Sequence, residues 1–180
     1  MKITVITGPM RSGKSKLLLE YINKTSNYIS FKPGFDDRDF GVIKSRNGQS
    51  VKAININILP DIVQHLNSSS IDVVFIDEIQ FFNDIENIKP LLTKLNDLDI
   101  DLVVSGLDMD SNFNIFTTTS IFMAYANEII KLNDVCECCN KDKSYISFCK
   151  IKKDSQILTG DEIYEAICLN CYLKKELQSL

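Results

Sequence analysis

Lys2-Ile3-Thr4-Val5-Ile6-Thr7-Gly8-Pro9-Met10-Arg11-Ser12-Gly13-Lys14-Ser15 is the stretch that decides the fold. Residues 2–7 are short and rich in β-branched side chains, the pattern of a strand buried on both faces of a parallel sheet. A turn carrying two glycines follows. Leu17, Leu18, Tyr21 and Ile22 then recur at helical spacing, predicting a helix over residues 14–23. Residues 8–15 match Gly-x-x-x-x-Gly-Lys-Ser without a mismatch, between a strand and a helix as that pattern requires. Its physical content is anion binding. Gly8 and Gly13 let consecutive N–H groups turn inward where a Cβ would clash, and the helix presents its positive end. Lys14 is placed to neutralise phosphate, and the Ser15 hydroxyl to ligand Mg²⁺.

Outward from this segment the chain alternates. Strands are expected at residues 28–31, 51–58, 71–76, 101–105 and 129–132, and helices at 60–67, 82–95 and 120–127. Pro60 opens the first of these helices at its first turn, and residues 35–48 read as a charged loop. The pattern predicts an α/β fold of the P-loop (RecA-like) type, a mostly parallel sheet with helices on both faces. At Asp134 the character changes to cysteine pairs with few periodic apolar residues. We therefore expect a P-loop nucleotide-binding domain over residues 1–133 and a small zinc-binding subdomain with a C-terminal helix over residues 134–180.

Two further constellations carry chemistry. The apolar run 71–76 ends in Asp77-Glu78. At the carboxyl end of a strand neighbouring the first, Asp77 would hold the Mg²⁺ shell and Glu78 would act as a base on an attacking hydroxyl. Cys136-x-x-Cys139 and Cys168-x-x-Cys171 each present two thiolates from one tight turn, and together they can close a tetrahedral Zn²⁺ site. Such a site staples a unit too small for its own core. Cys138 and Cys149 fall outside the pairing.

Composition narrows the classes. A net charge of −4 and a pI of about 5.0 argue against a protein that coats nucleic acid or a motor that runs on it. The apolar runs are of strand length, so no membrane span is expected. Gly8, Pro9 and nearby charges make residues 1–14 a poor signal peptide, and a cytoplasmic protein is expected. Six cysteines in a reducing compartment then point to metal or packing before disulfides.

In this order, the landmarks resemble the type II thymidine kinase family of bacteria, animals and large DNA viruses. The resemblance rests on Gly8-Pro9-Met10-x-Ser12-Gly13-Lys14-Ser15, on Lys32-Pro33 followed by Asp36-Asp37-Arg38, and on Asp77-Glu78-Ile79-Gln80-Phe81-Phe82. Further along it rests on Gly106-Leu107-Asp108-x-Asp110, Lys131-Leu132, the cysteine pairs and Thr159-Gly160-Asp161-Glu162-Ile163-Tyr164. It implies transfer of a phosphoryl group from ATP to the 5′-hydroxyl of thymidine in nucleotide salvage. Glu78 would be the general base, Lys14, Mg²⁺ and Arg38 would neutralise charge, and Asp36 would lie near the metal or the sugar. ATP would be held by Gly8, Pro9, Met10, Arg11, Ser12, Gly13, Lys14 and Ser15, with Asp77. Backbone groups of Ile157, Leu158, Thr159 and Gly160 would hold thymine between walls of Met10, Phe81, Leu107, Phe116 and Tyr164. A homo-oligomer, a tetramer in the family, is also implied.

Departures from the family pattern gather around base recognition. Arg11 replaces an aromatic residue, Lys16 a threonine and Thr159 a glycine, and Ser111 stands where an aromatic commonly stacks on the base. These leave open a kinase of another deoxynucleoside such as deoxyuridine, or an inactive nucleotide-binding relative. Lys14, Ser15, Asp77 and Glu78 argue against the latter.

Overall fold

The computed structural model describes residues 1–34, 40–66, 70–141, 143–151 and 163–178. In chain order the elements of its first part are β1 (Ile3–Thr7), α1 (Lys14–Ile22), β2 (Tyr28–Pro33), β3 (Val42–Lys44), β4 (Ser50–Lys52), β5 (Ile54–Ile56), β6 (Val73–Ile76), α2 (Ile88–Asp97), β7 (Asp101–Gly106), α3 (Thr117–Tyr125) and β8 (Glu128–Lys131). β9 (Asp134–Val135), β10 (Lys143–Ser144), β11 (Ile146–Cys149), β12 (Tyr164–Ile167) and α4 (Leu169–Gln178) complete it.

Six strands form one sheet in the order β5-β2-β6-β7-β1-β8, with every neighbouring pair parallel. β1 is buried along its whole length, as its unbroken apolar and β-branched run requires. Alternate side chains feed two cores. Ile3, Val5, Val74, Ile76, Leu102 and Val104 pack with Leu91, Leu92 and Leu95 of α2 and Phe122 of α3. On the other face Ile6, Phe75 and Val103 meet Leu18, Leu19 and Ile22 of α1, together with Ile43 of β3. Helices therefore cover both faces of a parallel sheet.

Several local expectations are corrected. Residues 51–58 are not one strand. β4 pairs antiparallel with β3, a strand inside the stretch read as loop, whereas β5 joins the main sheet beside β2. Each partner claims three residues, and no continuous strand can serve both. The segment opened by Pro60 is a 3₁₀ helix, Leu59–His65. The helix expected from residue 82 begins at Ile88, after two short 3₁₀ turns, Ile79–Phe81 and Ile85–Asn87. His65, the single histidine, is half-buried with its ring 5.7 Å from Phe31.

Beyond residue 133 the chain leaves the main sheet. β9 pairs with β10 and β11 with β12, both antiparallel. Cys136, Ile146, Ile167, Cys168, Cys171 and Tyr172 form a small cluster of their own. Phe113 lies edge-on to Tyr172 of α4 at 4.5 Å, bringing the loop after β7 against this cluster.

Candidate active site

β1, β6 and β7 bring their carboxyl ends to one place. The loop after β1 turns through left-handed backbone at Gly8 (φ +138°), Arg11 (φ +68°) and Gly13 (φ +90°). A Cβ on Gly8 would lie 2.5 Å from the Leu132 carbonyl oxygen, so no other residue fits there. α1 starts without a capping side chain and has no acidic residue in its first turn, so its leading N–H groups have no intrahelical acceptor. Among the described residues, the buried Ser12 hydroxyl also has no hydrogen-bond partner. Open N–H groups, an unanswered hydroxyl and a helix N-terminus are the donor set that phosphate oxygens satisfy.

Lys14 is buried, and its Nζ donates to the carbonyl oxygens of Gly8 (3.2 Å) and Pro9 (2.8 Å). Burial lowers its pKa, while the charges of Glu78 and Asp77 oppose that shift. Asp77 is buried too, and burial raises its carboxyl above the ordinary carboxylate range. The Ser105 hydroxyl donates to Asp77 Oδ1, the Glu78 N–H donates to the same oxygen at 3.0 Å, and the Ser15 hydroxyl also bonds this side chain. The Ser15 oxygen and the Asp77 carboxylate thus meet beside a buried ammonium, an all-oxygen donor pair suited to Mg²⁺.

Sequence reading placed Asp77 on a strand neighbouring β1, but β7 lies between β1 and β6. Ser105 of β7 bridges that gap, and nothing in a lone serine near the end of a strand signals it. Gln80 likewise stands out in the sequence only as part of a motif. It is buried, donates through Nε2 to Glu78 Oε2, and accepts the Leu107 N–H at 3.0 Å. Glu78 itself has left-handed backbone (φ +53°), uncommon for a residue with a Cβ. Gln80 therefore braces a carboxylate carried by the turn after β6.

Of the expected walls, Met10, Phe81 and Leu107 are half-buried, and Phe116 and Tyr164 are buried. Leu107 is tied to Gln80, and the Phe116 N–H donates to the Asp108 carbonyl at 2.9 Å. Phe116 and Gln80 line a shallow pocket with Asn83, Ile85, Ile115, Thr117 and Thr118. Met10, Phe81, Leu107 and Tyr164 are not among its lining residues. Ser111 is buried, and Phe113, two residues further on, is engaged with Tyr172. Asp36, Arg38, Ile157, Leu158, Thr159 and Gly160 lie outside the described residues.

The four paired cysteines converge, with their sulfurs all within 4.8 Å of one another and three of the four residues buried. Burial opposes ionisation of Cys136, yet hydrogen bonds from the backbone of Cys139, Cys168 and Cys138 draw its pKa down to about 6. Burial and the surrounding sulfurs push Cys171 the other way. A cluster that favours the Cys136 thiolate and penalises those of Cys168 and Cys171 needs a cation to hold four, and the all-sulfur set fits zinc. Cys138 is exposed and, like Cys149, is not part of the cluster.

A parallel sheet with this loop after its first strand and a carboxylate pair two strands away defines the class, a P-loop α/β protein of the nucleotide-binding type. The family model described as thymidine kinase matches residues 1–172. The chain is 37% identical over 180 residues to a thymidine kinase of Pseudothermotoga lettingae, covering 96% of this chain and 95% of that one. It is 36% identical over 171 residues to a thymidine kinase of Mycoplasma genitalium, covering 91% and 79% respectively. The chain belongs to the thymidine kinase family.

Proposed function

We propose that this protein phosphorylates the 5′-hydroxyl of thymidine with ATP. The observation carrying this reading is Glu78, held by Gln80 beside the buried Lys14 and Asp77, in a chain of the thymidine kinase family. Glu78 takes the proton of the 5′-hydroxyl as that oxygen bonds to the γ-phosphorus. The bond from the γ-phosphorus to the β,γ-bridging oxygen breaks, and ADP leaves. The loop of residues 8–15 aligns the triphosphate, and Lys14 balances the charge spreading over the transferred group. When bound at Ser15 and Asp77, Mg²⁺ supplies further charge neutralisation. Arg38 shares in the charge neutralisation, Asp36 serves the metal or the sugar, and backbone groups of Ile157, Leu158, Thr159 and Gly160 recognise the base, with Met10, Phe81, Leu107, Phe116 and Tyr164 as its walls.

Residues 134–180 serve as a zinc-stapled subdomain on a P-loop domain of residues 1–133. The protein acts as a homo-oligomer in the cytoplasm, without a nucleic-acid partner. Among the described residues, no helix is long and apolar enough to cross a membrane.

The test offers the protein Mg-ATP with a panel of nucleosides. Thymidine monophosphate should form, and Glu78→Gln should lower kcat by about 10²–10⁴-fold, the range for a general base, with ATP binding retained. Preference for deoxyuridine would move the assignment to a second reading, favoured by the buried Ser111 where an aromatic is expected. ATP hydrolysis with no nucleoside product would sink both.

A further inference from the structure

The tip of the phosphate loop is tied to the cysteine-bound unit. The Met10 N–H donates to Ser147 Oγ at 2.9 Å, and Arg11 Nη1 pairs with Glu137 Oε2 at 2.8 Å. Both anchors sit close to cysteines of the cluster. Glu137 follows Cys136 directly, and its other carboxylate oxygen accepts the Ala166 N–H at 2.9 Å. The Glu137 N–H donates back to the Ala166 carbonyl at 2.9 Å. Ala166 is the cross-strand partner of Ser147, and Cys168 lies two residues beyond it. Glu137, Ala166 and Ser147 thus form one platform, fastened by the cysteines on one side and holding Met10 and Arg11 on the other. Arg11 adopts left-handed backbone, so the loop has its shape only while its surroundings hold it.

We infer that Arg11 and Glu137 are positioning residues coupling the zinc unit to the phosphate loop, so that zinc and nucleoside triphosphate each tighten the other's binding. This rests on the reading of residues 8–15 as the triphosphate loop. Zinc fixes the platform, the platform fixes the carbonyl and N–H directions of residues 10 and 11, and a preset loop loses less freedom when it closes on phosphate. Linkage makes the effect reciprocal, since nucleotide that favours the ordered loop also favours the ordered platform. The Arg11–Glu137 pair is partly exposed, with side chains 25% and 35% accessible, which places the coupling low in the usual range, at about 3- to 10-fold.

The test measures both affinities at equilibrium. Mg-ATP is titrated into zinc-loaded protein, and zinc is partitioned against a chelator of known affinity with and without saturating Mg-ATP. In the wild type, nucleotide should tighten zinc by about 3- to 10-fold. Glu137→Gln keeps a carbonyl oxygen for Ala166 but withdraws the anion from Arg11. It should weaken ATP by up to the same factor and cut the effect of nucleotide on zinc to what the Met10–Ser147 bond still carries, raising the KM for ATP more than it lowers kcat. Arg11→Met, which leaves the cysteine-bearing segments unaltered, should do likewise if Glu137→Gln proves unstable. The double variant should bind ATP no more weakly than the worse single one. Zinc affinity indifferent to nucleotide in a wild type that binds ATP normally would overturn the coupling, as would additive effects of the two substitutions. Failure of the wild type to bind ATP is a separate result, and it would remove the triphosphate reading itself.

Discussion

Replacing Gly106 with alanine should disable the site by displacing Gln80. Gly106 does not have left-handed backbone, so the cost is purely one of space. A Cβ there would lie 2.5 Å from Gln80 Oε1 and 2.7 Å from Ile79 Cγ2, against 3.4–4 Å for an ordinary contact. The Gln80 amide would have to retreat by about 0.9 Å, enough to carry its 3.0 Å bond with the Leu107 N–H out of range. The same movement pulls Nε2 away from Glu78. Losing the neutral bond costs about 1 kcal/mol and the carboxylate bond about 1.5–3 kcal/mol. Crowding at Ile79 adds about 1 kcal/mol. Side-chain relaxation returns part of this, leaving roughly 2–4 kcal/mol, or a fall in Tm of roughly 5–15 °C for a chain of this size. A base misplaced by about 1 Å should lower kcat on the order of 10²-fold. Thermal melts and steady-state thymidine phosphorylation read the two effects separately. Gln80→Ala should reproduce the kinetic loss without the clash, and combining the two substitutions should add little to it. A Gly106→Ala protein with a lowered Tm and native kcat would refute the bracing of Glu78 by Gln80. Native values of both would refute the close approach itself.

Two further outcomes follow from the buried groups. Asp77 holds its proton more tightly in the folded protein than in the unfolded chain, because burial raises its pKa from 3.8. Stability from this group is therefore complete below that value and is lost as pH rises through the raised one. Asp77→Asn should raise the Tm of the nucleotide-free protein at pH 7–8 by a few degrees (about 1 kcal/mol) and flatten that pH dependence, while Mg-ATP binding falls. An unchanged Tm-versus-pH curve would count against it. Elemental analysis should find about one Zn²⁺ per chain, and Cys171→Ser should lose the metal and loosen β11, β12 and α4 first. Hydrogen exchange would register this as faster exchange in those elements than in β1 or β7; a metal-free preparation with native protection would refute the staple.

Much of the fold was legible in local pattern. β1, α1, β7 and β8 fall within a residue or two of their expected places, because each is a short apolar run bounded by turn residues or a helix of clear period. Residues 51–58 misled because alternation reports that a segment is extended, not which sheet accepts it. The late start of α2 had a similar cause. Ile79, Phe82 and Ile88 are all buried, so apolar residues continue through the turns that aim Glu78 and Gln80.

What the chain determined by itself is the inventory and its local geometry: a loop whose glycines permit inward N–H groups, carboxylates at a strand end, and cysteine pairs in tight turns. Each is a matter of neighbouring residues and needs only the backbone between them. Tertiary structure decided how these meet. It put β7 between β1 and β6, so that Ser105 reaches Asp77. It set Gln80 against Gly106, and it laid the tip of the phosphate loop on Glu137 and Ser147. Such contacts join residues far apart in sequence through single hydrogen bonds, and a hydrogen bond imposes no periodicity on the chain that makes it.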